Sequence, residues 1–374
     1  MNFLKCQGIN IILDLKQERL SMLIVGKSRM GKTYFMSQYA AFLLDQNATV
    51  KVIDLGDKWS EKDRKRTRIA KTIGMEDSIT VFFPSVTSLQ GSARYIANAI
   101  GFVSEKVIEL LKRDIEELSK NNKGFYLADL IKLLKEEEEI EAKKIYRRFE
   151  SINGLQDIFL MVDCGEANRQ AEESDIWNFA KKDEDFVNVV SQLVIYSLFE
   201  TKKLQFRAGD ISQKIFIFID EFQNLHCRKS SIIGKCYTEG QKYGIYLVLA
   251  TQFLQGKFDD AVLNQFQQGG FQLFFRLTDG DAAEISKRLH YQIDKQRELL
   301  EILTELEKGQ FLLKGSHRLE SCREITEKLR VVEVKSELEE TGQAPKRKIA
   351  INAVLSNNKE SNITGKKIFG IYKG

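Results

Sequence analysis

The sequence predicts an α/β protein with a mainly parallel central sheet and an inserted helical subdomain. Three observations carry that prediction. Short apolar runs at residues 21–25, 215–219, 245–250 and 271–275 each stop at a glycine or a polar residue, the pattern of strands buried on both faces of a parallel sheet. The first run passes through a glycine-rich loop into a segment of helical periodicity. Residues from about 93 to 151 instead carry long helical patterns rich in Glu and Lys.

Taken in order, residues 8–15 form a short, mostly apolar segment, and residues 21–25 a compact strand ending in glycine. Phe35, Met36, Tyr39, Ala40, Leu43 and Leu44 recur at helical spacing, which predicts a helix over 33–44. Residues 50–53 read as a second strand ending at Asp54, and residues 79–83 as a third, stopped by Pro84. The charged stretch contains four consecutive acids, Glu136 to Glu139, followed by Lys143 and Lys144, and reads as a solvated helix face. A further strand is expected within 155–162 and a helix over 186–199, before the strands at 215–219, 245–250 and 271–275. The expected organisation is an N-terminal part of the core over 1–92, a mostly helical insertion over 93–184, the C-terminal part of the core over 185–330 and a basic tail over 331–374.

Composition bounds the function. The 374 residues are 43% hydrophobic and 29% charged, a globular balance that excludes a collagen, a disulfide scaffold or a wholly disordered chain. No apolar run approaches the roughly 20 residues of a membrane span, and the first residues lack a signal peptide's apolar stretch. A soluble cytoplasmic protein without membrane insertion is expected. The five cysteines, Cys6, Cys164, Cys227, Cys236 and Cys322, are odd in number and irregular in spacing, so they read as reduced thiols. His226 and Cys227 with Cys236 lack a fourth ligand at a workable spacing for a metal. The net charge of +4 is uneven: residues 343–374 hold seven basic residues against Glu360, a net +6 that leaves −2 for the rest. Such a tail suits either a polyanion contact or a solvated terminus.

Three motifs carry chemistry. Gly26, Lys27, Ser28, Arg29, Met30, Gly31, Lys32 and Thr33 satisfy G-x-x-x-x-G-K-[ST] between a strand and a helix. Glycines let successive backbone N–H groups curl around a phosphate, and the helix N-terminus adds its positive dipole end. Lys32 is placed to reach the β- and γ-phosphates of ATP, and the Thr33 hydroxyl to ligate Mg²⁺. Asp220, at the end of an apolar strand, is the second metal-holding acid, and Glu221 beside it can polarise an attacking water. The third motif is Ala250-Thr251-Gln252, whose glutamine can hydrogen-bond both that water and the γ-phosphate.

In that order these motifs resemble the HerA/FtsK superfamily of DNA-pumping ATPases. Asp54-Leu55-Gly56-Asp57-Lys58-Trp59 is similar to the D-x-x-G-E-aromatic segment of the HerA branch, and Glu239-Gly240-Gln241-Lys242-Tyr243-Gly244 to its E-G-R-K-Y-G block. Phe274-Phe275-Arg276-Leu277-Thr278-Asp279 resembles the strand that follows. The likeness covers roughly residues 20–90 and 185–315. It implies a RecA-like ATPase core, a hexameric ring of identical subunits, double-stranded DNA in the channel and a cation contributed across the subunit boundary. The family's arginine is replaced here by Gln241, so Lys242 and Arg276 are the candidates for that cation. Only twenty-five residues precede Gly26, too few for the barrel with which HerA proteins begin. The resemblance therefore implies that the usual nuclease-docking surface is missing or is provided by another chain, and it fits a phage-defence module paired with a separately encoded nuclease or other effector.

Three functions share these motifs. The first is an ATP-driven motor on duplex DNA, with Lys202-Lys203 and Arg228-Lys229 as candidate phosphate-tracking pairs. The second is a conjugation or secretion ATPase. The third is an ATP-dependent assembly scaffold for an effector, with slow hydrolysis.

Overall fold

The computed structural model describes residues 3–55, 57–74, 79–120, 123–179, 182–210, 213–228, 230–254, 258–290 and 292–334. The chain opens with β1 (Leu4–Cys6) and β2 (Ile9–Leu13), then runs β3 (Met22–Val25), α1 (Lys32–Asp45), β4 (Thr49–Asp54), α2 (Glu61–Thr67) and β5 (Lys71–Ile73). A second group follows: β6 (Ile79–Phe83), α3 (Val86–Ala99), α4 (Glu105–Ser119), β7 (Gly124–Tyr126), α5 (Leu127–Glu136), α6 (Ile140–Glu150), β8 (Ile158–Val162) and α7 (Cys164–Glu172). The chain then returns through β9 (Asp175–Asn178), α8 (Glu184–Arg207), β10 (Ile215–Asp220), α9 (Ile232–Glu239), β11 (Ile245–Thr251), α10 (Asp260–Phe266) and β12 (Phe271–Phe274). It finishes with α11 (Asp279–Leu289), α12 (Ile293–Glu305), β13 (Gln310–Gly315), β14 (His317–Leu319) and β15 (Arg330–Val334).

The strands of the main sheet lie in the order β14-β2-β1-β15-β13-β12-β3-β11-β10-β4-β9-β5. From β12 to β5 every neighbouring pair is parallel, and from β13 to β14 every pair is antiparallel. The parallel half is buried on both faces. Ile215, Ile217 and Ile219 of β10 pack into one hydrophobic cluster with α3, α8 and α9. Phe216 and Phe218, alternating with them, pack on the other side against Phe35, Met36 and Tyr39 of α1. Burial on both faces removes the hydrophobic–polar alternation that a one-sided strand shows, which is why these segments read as unbroken apolar runs. Helix α8 is buried along most of its 24 residues, for it lies between the main sheet and the second group of elements.

Two placements differ from the sequence expectation. Residues 79–83 were expected in the central sheet, but β6 pairs in parallel with β8 in a separate three-stranded sheet completed by antiparallel β7. An apolar run shows that a strand is buried and carries no label for its partner; β6 alternates buried Ile79, Val81 and Phe83 with half-buried Thr80 and Phe82. The helical middle of the chain therefore contains this small sheet as well as helices. The antiparallel wing was not anticipated, and its strand β15 falls where the basic tail was expected to begin. Residues 335–374, most of that tail, lie outside the described residues.

The charged stretch behaves as an amphipathic face. Leu130 and Leu134 of α5 and Ala142, Ile145 and Phe149 of α6 point into the core, while Glu138, Lys143 and Lys144 are exposed.

Candidate functional site

The strand order is what assembles the site. β10 and β11, from late in the chain, insert between β3 and β4, and because all four run parallel their carboxyl ends share one edge. Along that edge stand Arg276 after β12, the glycine-rich loop after β3, Gln252 after β11, Asp220 and Glu221 at β10, and Asp54 at the end of β4.

The loop is sutured to its neighbours through the backbone. Gly26 N donates to Thr251 O at 3.1 Å and Lys27 N to Arg276 O at 2.8 Å. A Cβ at Gly26 would sit 2.5 Å from the Phe275 Cβ, so the first glycine is required by close packing. Gly31, at φ 105°, caps α1 without any side-chain hydrogen bond, and the first turn of α1 contains no acid. The orphan N–H groups of that turn thus face the loop with no anion built in, the arrangement that suits a phosphate. Lys32 is buried, and its Nζ donates to the loop carbonyls of Gly26 at 2.7 Å and Lys27 at 3.1 Å. Burial lowers its pKa, against the upward pull of the Asp220 and Glu221 carboxylates.

The acids meet the loop from β10. Thr33 Oγ1 donates to Asp220 Oδ2 at 2.5 Å, and Glu221 N donates to Asp220 Oδ1 at 2.9 Å. Burial pushes the Asp220 carboxyl up to about 6; the Thr33 hydrogen bond opposes that rise and the Glu221 charge adds to it. Glu221 takes a left-handed backbone (φ 57°, ψ 37°) that turns the chain off the strand. Its Oε1 accepts from Gln252 Nε2 at 2.6 Å and its Oε2 from Gln223 Nε2. The residues fit Mg²⁺: two hard oxygens, Thr33 Oγ1 and Asp220 Oδ2, stand 2.5 Å apart beside the phosphate loop. Among the described residues no cluster of three or more His, Cys, Asp or Glu side chains is poised for a metal, and Mg²⁺ shared with substrate phosphates asks for only one or two protein oxygens.

Of the predicted site residues, Gly26 to Thr33, Asp220, Glu221 and Gln252 are brought together. Arg276 stands at the same edge through its backbone, but its Nε donates to Leu306 O at 2.8 Å at the end of α12. Lys242 is elsewhere: it is exposed in the short turn before β11, whereas Gln252 follows the far end of that seven-residue strand. At about 3.3 Å per residue the two are roughly 20–25 Å apart along the sheet. Two candidate basic residues are corrected. Lys202 is buried, with its pKa lowered by that burial, and Lys203 is held by Glu200 at 2.6 Å, so neither is a free phosphate contact on its surface. Arg228 is exposed; Lys229 lies outside the described residues. The cysteines are free. Burial raises the Cys227 thiol to about 12 and lifts Cys236 further, while the His226 ring sits 3.2 Å from Ala99 O.

Sequence reasoning gave one contributor, Asp54, no role in the site and missed another, Gln223. Asp54 is fully buried, pairs in register with Asp220 and accepts from Lys58 N at 2.8 Å and Trp59 N at 3.2 Å. It thereby organises the segment that precedes α2. Gln223, two residues beyond Glu221, had no motif to mark it. A cleft of about 730 Å³ between α9 and α10, lined by Lys235, Glu239, Asn264 and Gln265 among others, shares no residue with this site.

No family model matches the chain, and no curated protein does. Among solved structures, VirB4 of Thermoanaerobacter pseudethanolicus matches with a TM-score of 0.60 at 12% identity, over 86% of this chain and 90% of that one. The plasmid coupling protein TrwB, in complex with the non-hydrolysable GTP analogue GDPNP, matches with a TM-score of 0.57 at 13% identity, over 84% of this chain and 85% of that one. At these identities the likeness is one of fold. This chain has the α/β architecture of those P-loop proteins, with a large, mainly parallel sheet.

Proposed function

We propose that this chain is an ATP-hydrolysing motor of the HerA-like type. It translocates double-stranded DNA as a hexameric ring with a separately encoded nuclease or other effector, in a role such as phage defence. The observation that carries the ATPase part is the convergence of Lys32, Thr33, Asp220, Glu221 and Gln252 at one sheet edge. ATP phosphates take over Lys32 from the carbonyls of Gly26 and Lys27, and the N–H groups of the α1 first turn cradle them. Thr33 and Asp220 would hold Mg²⁺, which supplies neutralisation of charge on the β- and γ-phosphates. Glu221 orients and polarises the attacking water, and Gln252 bridges that water and the γ-phosphate.

Lys242, exposed at the opposite end of β11, is too far from its own subunit's phosphate loop to serve it, so a catalytic role for it requires a neighbouring subunit's site. Arg276 is the less favoured cation, since its guanidinium is engaged by Leu306.

The second reading is a conjugation or secretion ATPase. The fold likeness to VirB4 and to TrwB, described as a conjugative coupling protein, favours it. Among the described residues no helix is long and apolar enough to cross a membrane. The third reading is an ATP-dependent assembly scaffold. Steady-state ATPase activity with and without linear duplex DNA at low salt separates them. Strong stimulation is expected of the motor; activity indifferent to DNA would shift the assignment to secretion or scaffolding.

A further inference from the structure

The segment that follows Glu221 does more than leave the strand. The left-handed backbone at Glu221 starts a short 3₁₀ turn over Phe222–Asn224, and this turn brings the Gln223 side chain back onto the Glu221 carboxylate. Gln223 Nε2 donates to Glu221 Oε2, while Gln252 Nε2 donates to Oε1 at 2.6 Å. An ionised carboxylate only accepts hydrogen bonds, so the orientation of the Gln223 amide follows: its NH₂ faces Glu221 and its carbonyl oxygen faces away. That Oε1 is buried and has no hydrogen-bond partner among the described residues. A buried acceptor left unpaired carries a desolvation penalty, and one beside the water-polarising carboxylate is placed for a donor that arrives with the substrate.

The two glutamines are not equivalent. Gln252 belongs to another strand, and contact with the γ-phosphate draws its amide away from Glu221. Gln223 is joined to Glu221 by a two-residue turn and stays with it. We propose that Gln223 is a positioning residue for hydrolysis: it holds the Glu221 carboxylate in place when Gln252 turns to the phosphate. The proposal rests on the reading above, in which Glu221 serves ATP hydrolysis.

The experiment measures kcat and KM for MgATP in the full chain, comparing wild type with Gln223→Leu and Gln223→Glu. A parallel pair, Glu221→Gln with and without Gln223→Leu, is followed in single turnover. With Gln223→Leu, kcat is expected to fall about tenfold, as for one hydrogen bond to a charged group, with KM within about twofold. Gln223→Glu replaces the amide donor by a second carboxylate facing the first, and is expected to lower kcat at least as far, again with KM little changed. In the Glu221→Gln background the Gln223 substitution is expected to have no further effect, because its action runs through that carboxylate. Gln223→Glu preserves the side-chain length, so a folding defect in the leucine variant leaves the glutamate variant to decide. A kcat within about twofold of wild type in both variants, or an equal loss of rate in the Glu221→Gln background, overturns the proposal alone. Fast hydrolysis by Glu221→Gln itself overturns the underlying reading as well.

Discussion

Asp220 is where function sits most directly against stability, and Asp220→Asn measures the conflict. The carboxyl is 1% exposed, and burial raises its pKa from 3.8 to about 6. An acid whose folded pKa lies above its unfolded value destabilises the fold once it ionises. Nothing is lost below about pH 3.8; the loss builds between that value and 6 and is complete above it. About two pH units correspond to roughly 3 kcal/mol. Asparagine does not ionise, so the stability of the variant relative to wild type should climb with pH. Between pH 4.5 and 8 about 2 kcal/mol of that climb is accessible. The constant part, the weakened bonds to Thr33 Oγ1 and Glu221 N, costs about 1 kcal/mol per bond at every pH and does not alter the slope. The assay is chemical or thermal unfolding of both proteins across this range, without nucleotide or Mg²⁺. A difference between the two proteins that does not change from pH 4.5 to 8 would refute the argument that the buried charge is strained when neither nucleotide nor Mg²⁺ is added. MgATP should then stabilise wild type and leave the variant nearly unmoved.

Three other outcomes follow from the same structure. Lys32→Ala removes the cation that the loop carbonyls hold ready, and nucleotide affinity measured by calorimetry should drop at least tenfold; an unchanged affinity would count against the phosphate-loop assignment. Gly26→Ala puts a methyl 2.5 Å from the Phe275 Cβ, and should cost about 1–3 kcal/mol in denaturant unfolding and distort the loop, whereas a wild-type midpoint would show the contact to be soft. Lys51 and Asp175 form a buried ion pair at 2.7 Å; Lys51→Met strands the Asp175 carboxylate and should cost about 3–5 kcal/mol, most of it regained in Lys51→Met with Asp175→Asn, and no recovery in the double variant would sink that explanation.

Much of the core is legible in the residues themselves. The apolar runs at 21–25, 215–219, 245–250 and 271–275 became β3, β10, β11 and β12, since burial on both faces leaves an unbroken hydrophobic signature. The loop from Gly26 to Thr33 was legible because phosphate binding demands glycines and a lysine at fixed spacing. What stayed hidden depends on contacts far apart in the chain. Residues 79–83 looked like any other buried strand, but found their partner in β8. Gln223 carries no motif, and its meaning comes from a left-handed turn that aims it at Glu221. Lys202 looked like a surface base and is buried in α8, because a helix packed on several sides cannot expose every charge.

Local chemistry is therefore written in the order of the residues: strand and helix periods, the phosphate loop, and acids and a glutamine at strand ends. These are properties of spacing and side-chain type within a few residues. Which strand ends meet is a property of the whole fold. β10 and β11 enter between β3 and β4, which sets Asp220 against Thr33 and Gln252 against Glu221, and leaves Lys242 at the opposite edge. Register and strand order are set by the packing of both faces at once, a long-range free-energy balance that no short stretch of sequence contains.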